Sequence, residues 1–214
     1  MSRILVFGGH GKVALLLAPV LVERGHLVTA VIRNPAHTAE VAATGATARV
    51  ADVERLDTAQ LAELIAGHDA VVWSAGAGGG DPERTRAVDR DAAVRSMDAA
   101  AAAGVTRYVM VSYFGAGPDH GVPEGDSFYA YAEAKSAADE HLRASALEYT
   151  ILAPGALTLD EATGRIDVAA TESASVARAD VAAVIAAALA EPATIGRSIR
   201  FNTGTVPIPE ALRG

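Results

Sequence analysis

Short apolar runs alternate along the chain with longer stretches in which apolar and polar residues are mixed. The first run, Ile4 to Phe7, ends at a glycine, and a later run, Tyr149 to Ala153, ends at Pro154-Gly155. Continuous apolar runs of this length are typical of strands buried on both faces of a parallel sheet. The pattern predicts strands at positions 4–7, 27–32, 47–51, 70–75, 108–112, 149–153 and 198–202.

The intervening stretches predict helices at about 13–22, 38–43, 58–66, 82–103 and 178–190, and a further helix that carries Tyr131 and Lys135 and ends near Ala144. Residues 156–177 look irregular, apart from a short strand expected near 165–168. Regular alternation indicates an α/β fold of βαβ units, with a mostly parallel sheet of about seven strands and helices on both faces. We expect one domain over residues 1–214, with a small C-terminal substrate region at about 155–177 and 203–214.

Composition narrows the classes of function. The 214 residues fit one large α/β domain, and half of them are apolar. The absence of cysteine excludes disulfides, thiolate catalysis and cysteine-based zinc sites. A net charge of −8 argues against nucleic-acid binding through a basic surface. The apolar runs are short or interrupted, and no charged segment precedes a long apolar stretch near the N-terminus, so we expect no membrane span and a cytoplasmic location.

A glycine-rich turn joins the first predicted strand to the first predicted helix. Gly8, Gly11 and Ala14 follow G-x-x-G-x-x-A spacing, which allows a tight turn and lets free helix N–H groups face a diphosphate. An ordinary glycine-rich turn would look similar, but the position at the first βα junction favours a dinucleotide site. Val13 follows Lys12 where a P-loop needs Ser or Thr. The predicted cofactor contacts here are Gly8, Gly9, His10, Gly11, Lys12 and Val13.

The end of the second strand bears on the choice of cofactor. NAD sites usually place an acid there, whereas this chain has Arg33 followed by Asn34. A guanidinium can pair with a 2′-phosphate, so NADP(H) is favoured, while NAD(H) stays open. Asp52 and Val53, after the third strand, are predicted to meet the adenine ring.

Tyr131 and Lys135 form a Y-x-x-x-K motif, which places both side chains on one face of a helix. A cation beside a phenol favours the phenolate, so we expect Lys135 to lower the pKa of Tyr131 from about 10 toward working pH. Ser112 closes the fifth strand and is expected to reach the same sheet edge, where it would position a substrate oxygen. The predicted catalytic set is therefore Ser112, Tyr131 and Lys135, with Tyr131 as the proton donor or acceptor.

Half of the ten aromatic residues other than histidine lie between positions 113 and 131, and could form a wall for a flat substrate or pin a loop to the domain. The candidate substrate residues from this segment are Tyr113, Phe114, His120, Phe128 and Tyr129. The six histidines are scattered without metal-binding spacing, so no metal site is predicted. Neither Ser74 nor Ser112 lies in a G-x-S-x-G motif, which argues against a hydrolase nucleophile.

Nearly the whole chain resembles the atypical short-chain dehydrogenase/reductase superfamily, and especially its small NmrA-like and NAD(P)H-binding members related to sugar epimerases and flavin reductases. The motifs that carry the resemblance are residues 6–13, 31–35, 52–53, 109–112, 131–139, 149–155 and 178–182. It implies a Rossmann-type, doubly wound fold that binds NADP(H) or NAD(H). The resemblance also places Ala75, Gly76 and Ala77 near the cofactor. Lys135, which could bond the nicotinamide ribose, and Pro154 are further candidate cofactor contacts.

Two departures from the family pattern limit what can be carried over. Relatives commonly have Arg-Pro-Gly after the sixth strand, whereas this chain has Ala153-Pro154-Gly155. Sugar epimerases also carry a larger C-terminal domain than the 59 residues that follow Gly155. We therefore expect an NADP(H)-dependent oxidoreductase, monomeric or homodimeric, acting on a small carbonyl, quinone or flavin-like acceptor. A redox sensor that binds NADP(H) is the alternative, and an NAD-dependent epimerase or dehydratase is disfavoured by chain length.

Overall fold

The computed structural model describes residues 1–214. The strands are β1 (Arg3–Phe7), β2 (Leu27–Ile32), β3 (Thr47–Val50), β4 (Ala70–Trp73), β5 (Arg107–Val111), β6 (Glu148–Pro154), β7 (Ala156–Thr158), β8 (Arg165–Asp167), β9 (Ser175–Ala177), β10 (Arg197–Thr203) and β11 (Val206–Pro207). The α-helices are α1 (Lys12–Glu23), α2 (Thr38–Ala43), α3 (Thr58–Ile65), α4 (Pro82–Thr85), α5 (Ala93–Ala102), α6 (Tyr129–Ala144), α7 (Arg178–Ala190) and α8 (Ile208–Ala211). Short 3₁₀ turns lie at Pro35–His37 and Pro192–Thr194.

Nine strands form one sheet in the order β11-β8-β10-β6-β5-β4-β1-β2-β3. The seven strands from β10 to β3 pair in parallel, whereas β8 and β11 add an antiparallel edge. The predicted mostly parallel α/β sheet is therefore confirmed, and the two short edge strands account for the difference from about seven. Strands β7 and β9 pair separately in a small parallel sheet.

Each central strand is buried on both faces, as its continuous apolar run predicts. In β1, Ile4 and Val6 point into one hydrophobic core, which is covered by α1 and α7, while Leu5 and Phe7 point into the other. The second core is covered by α3, α5 and α6. Helices thus flank both faces of the sheet, and the parallel strands place their carboxyl ends along one edge of it.

The strand order reverses between β1 and β4, since β2 and β3 continue on one side of β1 and β5 and β6 continue beyond β4. A crevice forms at such a switch point, outside the carboxyl ends of the strands. The glycine-rich turn after β1 and the segment that begins at Ser74 after β4 therefore face each other across it.

Three regions differ from the sequence prediction. Residues 206–211, for which no element was expected, form β11 and α8. The helix predicted at 82–103 is present, but residues Arg86–Ala92 widen into a π-helical turn between α4 and α5. Residues 156–177, expected to be irregular apart from one strand, contain three short strands. These strands depend on pairing with distant partners, which local sequence pattern does not encode. No helix is long and apolar enough to cross a membrane.

Candidate active site

A cavity of about 560 Å³ lies at the carboxyl edge of the sheet between β1 and β4. Its walls bring together most of the residues that the sequence singles out. From the predicted cofactor and catalytic sets it contains Gly8, His10, Gly11, Val13, Arg33, Asp52, Val53, Ala75, Gly76, Ala77, Ser112, Tyr131 and Lys135. One continuous cavity thus joins the glycine-rich turn to the Y-x-x-x-K helix.

The turn after β1 is built for close packing. Gly8 has a φ of +77°, and a Cβ there would lie 2.6 Å from the Cα of Ala75. A Cβ on Gly9 would lie 2.6 Å from the Cβ of Ala30. Such approaches exclude any side chain at either position without a shift of the backbone. Gly9 therefore packs against Ala30 of β2 and does not line the cavity.

The start of helix α1 lines the cavity through Gly11, its N-cap residue, and Val13 in its first turn. No side chain caps it, and its first turn contains no acidic residue. The unpaired amides at a helix N-terminus carry a partial positive charge that favours an anion. The free backbone N–H groups in the first turn of α1 are therefore suited to the diphosphate of a dinucleotide, as the G-x-x-G-x-x-A spacing predicts.

Two arginines and one acid meet at the far end of the cavity. Arg33 Nη1 donates to Glu54 Oε1 at 3.0 Å, and Arg84 Nε donates to the same oxygen at 3.1 Å. Arg84 also donates to the carbonyl of Ala77. The cluster carries a formal charge of +1, because one carboxylate faces two guanidiniums. Arg84 was not predicted, since the chain brings it here from a helix some fifty residues away.

Histidines form the neighbouring wall. The rings of His10 and His37 stack with centroids 3.5 Å apart, and both line the cavity. His10 Nε2 also lies 2.7 Å from Glu40 Oε2. His10 therefore belongs to the glycine-rich turn and also forms part of the cavity wall that contains Arg33.

Ser112 is oriented by a buried acid. Its Oγ donates to Asp139 Oδ2 at 2.5 Å, and Asp139 is only 1% exposed. The other carboxylate oxygen of Asp139 has no hydrogen-bond partner. Burial raises the pKa of Asp139, while the nearby Lys135 ammonium and the Ser112 hydroxyl oppose that rise. Asp139 lies four residues after Lys135 on the same helix face, so its sequence position could have revealed it.

Lys135 is almost fully buried, at 1% exposure. Its Nζ donates to the carbonyl of Val111 at 2.6 Å. Burial lowers its pKa, and the carboxylates of Asp139 and Asp89 oppose that change. The ammonium thus compensates two buried acids at the end of β5.

The predicted tuning of Tyr131 by Lys135 is wrong in direction. The pKa of Tyr131 is raised, chiefly by burial and then by the negative charges of Asp89 and Asp139. The helix spacing does place Tyr131 and Lys135 on one cavity wall, but Asp89 from the π-helical turn and Asp139 from the same helix add negative charge near the phenol. A raised pKa keeps the Tyr131 hydroxyl protonated through neutral pH.

Asp89 is the second acid that the sequence did not reveal. It lies in the π-helical turn and lines the cavity, although it is only 2% exposed. Its Oδ2 accepts a hydrogen bond from the backbone N–H of Ala77 at 2.9 Å, which fixes the glycine-rich segment after β4. Burial raises the pKa of Asp89, and the positive charges of Lys135 and Arg84 and the Ala77 bond oppose that rise. π-helical turns are frequent at functional sites.

A second cavity, of about 440 Å³, adjoins the first. Gly79 and Tyr131 line both, so Tyr131 stands on their shared boundary. Phe128 lines the second cavity and is 43% exposed. Its ring lies 5.0 Å from the ring of Tyr131 and 5.2 Å from that of Tyr113. The rings of Phe128, Tyr131 and Tyr113 therefore form one aromatic cluster.

Several predicted residues line neither cavity: Gly9, Lys12, Tyr113, Phe114, His120, Tyr129 and Pro154. Phe114 is buried with Arg200 over its ring, because the chain turns inward after Ser112. His120 is held by Glu133 and accepts from the amide of Val122. Of the aromatic segment, only Phe128 and Tyr131 reach a cavity wall. No group of three or more His, Asp or Glu side chains converges as a metal site would require.

Comparison with known proteins places this geometry in a family. The sequence model of the NAD(P)H-binding family matches residues 8–192. A Bacillus subtilis protein named as an uncharacterised sugar epimerase, YhfK, is 33% identical over 99% of both chains. Two solved structures are 33% identical to this chain. One is a provisionally named NAD-dependent epimerase/dehydratase from Bacillus halodurans (TM-score 0.91, 99% of both chains). The other is the oxidoreductase ylbE from Lactococcus lactis (TM-score 0.88, 98% of this chain and 94% of that one). The chain therefore belongs to the NAD(P)H-binding family, within the atypical short-chain dehydrogenase/reductase superfamily and its Rossmann-type fold.

Proposed function

We propose that this protein is an NADP(H)-dependent oxidoreductase that reduces a small carbonyl, quinone or flavin-like acceptor. The observation that carries the proposal is the single cavity that links the uncapped N-terminus of α1, Arg33 and the Ser112–Tyr131–Lys135 set. An anion-binding turn at one end and a proton donor at the other are the two parts that hydride transfer to a carbonyl requires.

The residues at the cofactor end would hold the nucleotide in a defined direction. When bound, the cofactor supplies the hydride. The first-turn amides of α1 would bind its diphosphate, and Arg33 with Arg84 would bind the 2′-phosphate of NADP(H). The excess of one positive charge beside Glu54 favours that phosphate over the neutral hydroxyl of NAD(H).

The residues at the other end would handle the proton. Tyr131 is protonated at neutral pH because its pKa is raised, so it can donate to an oxygen that gains negative charge. The Ser112 hydroxyl donates its hydrogen bond to Asp139, so the Ser112 oxygen remains available as an acceptor. We expect Ser112 to accept a hydrogen bond from the Tyr131 hydroxyl or from the hydroxyl of the product.

Two variants test the proposal. Tyr131→Phe removes the proton donor and should lower the rate of acceptor-dependent NADPH oxidation by roughly 10²-fold or more. Its affinity for NADPH should stay close to that of the wild type, because the phenol makes no contact with the glycine-rich turn. Arg33→Ala should weaken NADPH binding much more than NADH binding. Equal losses for both nucleotides would remove the 2′-phosphate assignment.

A redox sensor that binds NADP(H) without fast turnover is the second candidate. It is favoured by the raised pKa of Tyr131 and by the Lys135 ammonium, which is bonded to the Val111 carbonyl rather than to the phenol. Tight NADPH binding without turnover over a broad panel of carbonyls, quinones and flavins would favour the sensor. Conversion of a nucleotide sugar with no net oxidation of NADPH would instead favour the epimerase named among the relatives.

A further inference from the structure

The cavity beyond Tyr131 has a composition that defines the chemistry of its occupant. Its nine lining residues come from two segments, 79–85 and 127–131, and include Asp81, Phe128 and Tyr131. They include two aromatic rings and one formal charge, the carboxylate of Asp81. A volume of about 440 Å³ is at the lower end of the range for small-molecule pockets.

No Lys or Arg is among the residues that line this cavity. Between Tyr108 and Ala134 there is no Lys or Arg, and the same stretch contains Asp119, Glu124, Asp126 and Glu133. The opposite wall, formed by residues 79–85, contains the carboxylate of Asp81. Two arginines flank the lining residue Thr85: Arg84 is bonded to Glu54 and to the Ala77 carbonyl on the cofactor side, and Arg86 is exposed and lines neither cavity.

We infer that the second cavity is an acceptor site for a flat, aromatic molecule that is neutral or cationic, and that it rejects acceptors carrying a phosphate or carboxylate. The inference rests on the proposed function, because it takes Tyr131 as the boundary between cofactor and acceptor. Phe128, which is 43% exposed beside Tyr131, provides the apolar surface for the ring. Asp81 and the acidic segment raise the cost of bringing a negative charge close.

Riboflavin and FMN form a matched pair of probes, since they share one ring system and differ by a phosphate. We expect riboflavin to bind at least about tenfold more tightly than FMN at low ionic strength, measured by quenching of flavin fluorescence with the protein saturated in NADP⁺. The preference should shrink in high salt, because exposed charges are screened.

Single substitutions test which residues cause the preference for riboflavin over FMN. Asp81 is the N-cap residue before α4, where its Oδ1 accepts from the amides of Glu83 and Arg84. Asparagine caps equally well, so Asp81→Asn removes the charge and keeps the cap. It should narrow the ratio of the affinities for riboflavin and FMN by about threefold. The control, Glu63→Gln, removes a carboxylate from the exposed face of α3 and should leave that ratio unchanged. Phe128→Leu should weaken riboflavin binding by roughly tenfold.

The outcomes separate this inference from the proposed function. FMN binding as well as or better than riboflavin would overturn the neutral-acceptor site whether or not the protein turns over. A clear preference for riboflavin that depends on Asp81 and Phe128, with no NADPH oxidation, would support the site and refute hydride transfer as its use. The same preference in both binding and kcat/KM would support both.

Discussion

Lys135 should be as important for folding as for any reaction, because it compensates the charges of two buried acids. Its ammonium is 1% exposed, bonds the Val111 carbonyl and offsets Asp89 and Asp139, which are themselves 2% and 1% exposed. Lys135→Met preserves the apolar stem and removes the charge. It leaves two buried carboxylates without their cation and one carbonyl without its donor.

The size of the effect follows from those contacts. Removing one partner of a buried ion pair typically costs about 3–5 kcal/mol. Neither carboxylate lies within 4.0 Å of the Lys135 ammonium, so we expect a smaller loss of about 2–4 kcal/mol in the free energy of unfolding, which includes the cost of the orphaned Val111 carbonyl. A loss of that size is a large share of the roughly 5–15 kcal/mol by which folded domains are usually stable.

The penalty should depend on pH. Burial already raises the pKa of Asp89 and Asp139 above their ordinary value of 3.8, and loss of the ammonium should raise both further. A carboxyl whose pKa is raised on folding stabilises the native state at pH below its unfolded pKa and loses that contribution as pH rises through the folded pKa. The variant should therefore be closest to the wild type at about pH 5 and furthest from it at about pH 8.

Urea unfolding followed by circular dichroism at both pH values measures the difference directly. Lys12, the other lysine in the chain, is exposed and supplies the control, because Lys12→Met should change stability by less than about 0.5 kcal/mol. A loss below about 1 kcal/mol for Lys135→Met, or one that does not vary with pH, would refute the charge-compensation argument.

Other residues yield shorter tests. Gly9→Ala places a Cβ 2.6 Å from that of Ala30 and should cost about 1–3 kcal/mol of stability. The control, Gly117→Ala, has nothing within 4 Å of the new Cβ and should change stability by under about 1 kcal/mol. Thermal denaturation of both variants measures the contrast, and equal effects would show that packing at Gly9 is not the cause. If Tyr131 is the acid, the rate of NADPH-dependent reduction should show no loss from Tyr131 until pH exceeds the ordinary phenol value of 10.0, because its pKa is raised; a fall below pH 9 that Tyr131→Phe abolishes would show a lowered pKa instead. Glu54→Gln should release the two guanidiniums that Glu54 holds and raise the NADPH-to-NADH affinity ratio by about threefold or more, a change that calorimetry can detect, and a falling ratio would place the 2′-phosphate elsewhere.

The sequence predicts the fold well because its main signals are local. Apolar runs ending at Gly or Pro mark the strands, and alternation with helices implies a parallel sheet. Gly8 and Gly11 lie between the first strand and helix, so their place at the sheet edge follows from topology alone. Strands β7, β9 and β11 escaped prediction because each has two or three residues and depends on a distant partner.

The electrostatics of the site were less predictable, because they depend on residues from separate elements. The spacing of Tyr131 and Lys135 gives a shared wall, but it does not show that Asp89 enters from a π-helical turn. That turn interrupts a helix whose sequence looks continuous. Asp139 had a local signal, one helix turn after Lys135, and its bond to Ser112 shows why that spacing matters.

The most direct test of the central claim is calorimetric titration of the purified protein with NADPH and, in parallel, with NADH. We expect saturable binding of one NADPH per chain, with NADH binding more weakly because it lacks the phosphate that Arg33 and Arg84 would meet. Absence of heat with both nucleotides would contradict it, since the uncapped turn before α1 would then hold no diphosphate.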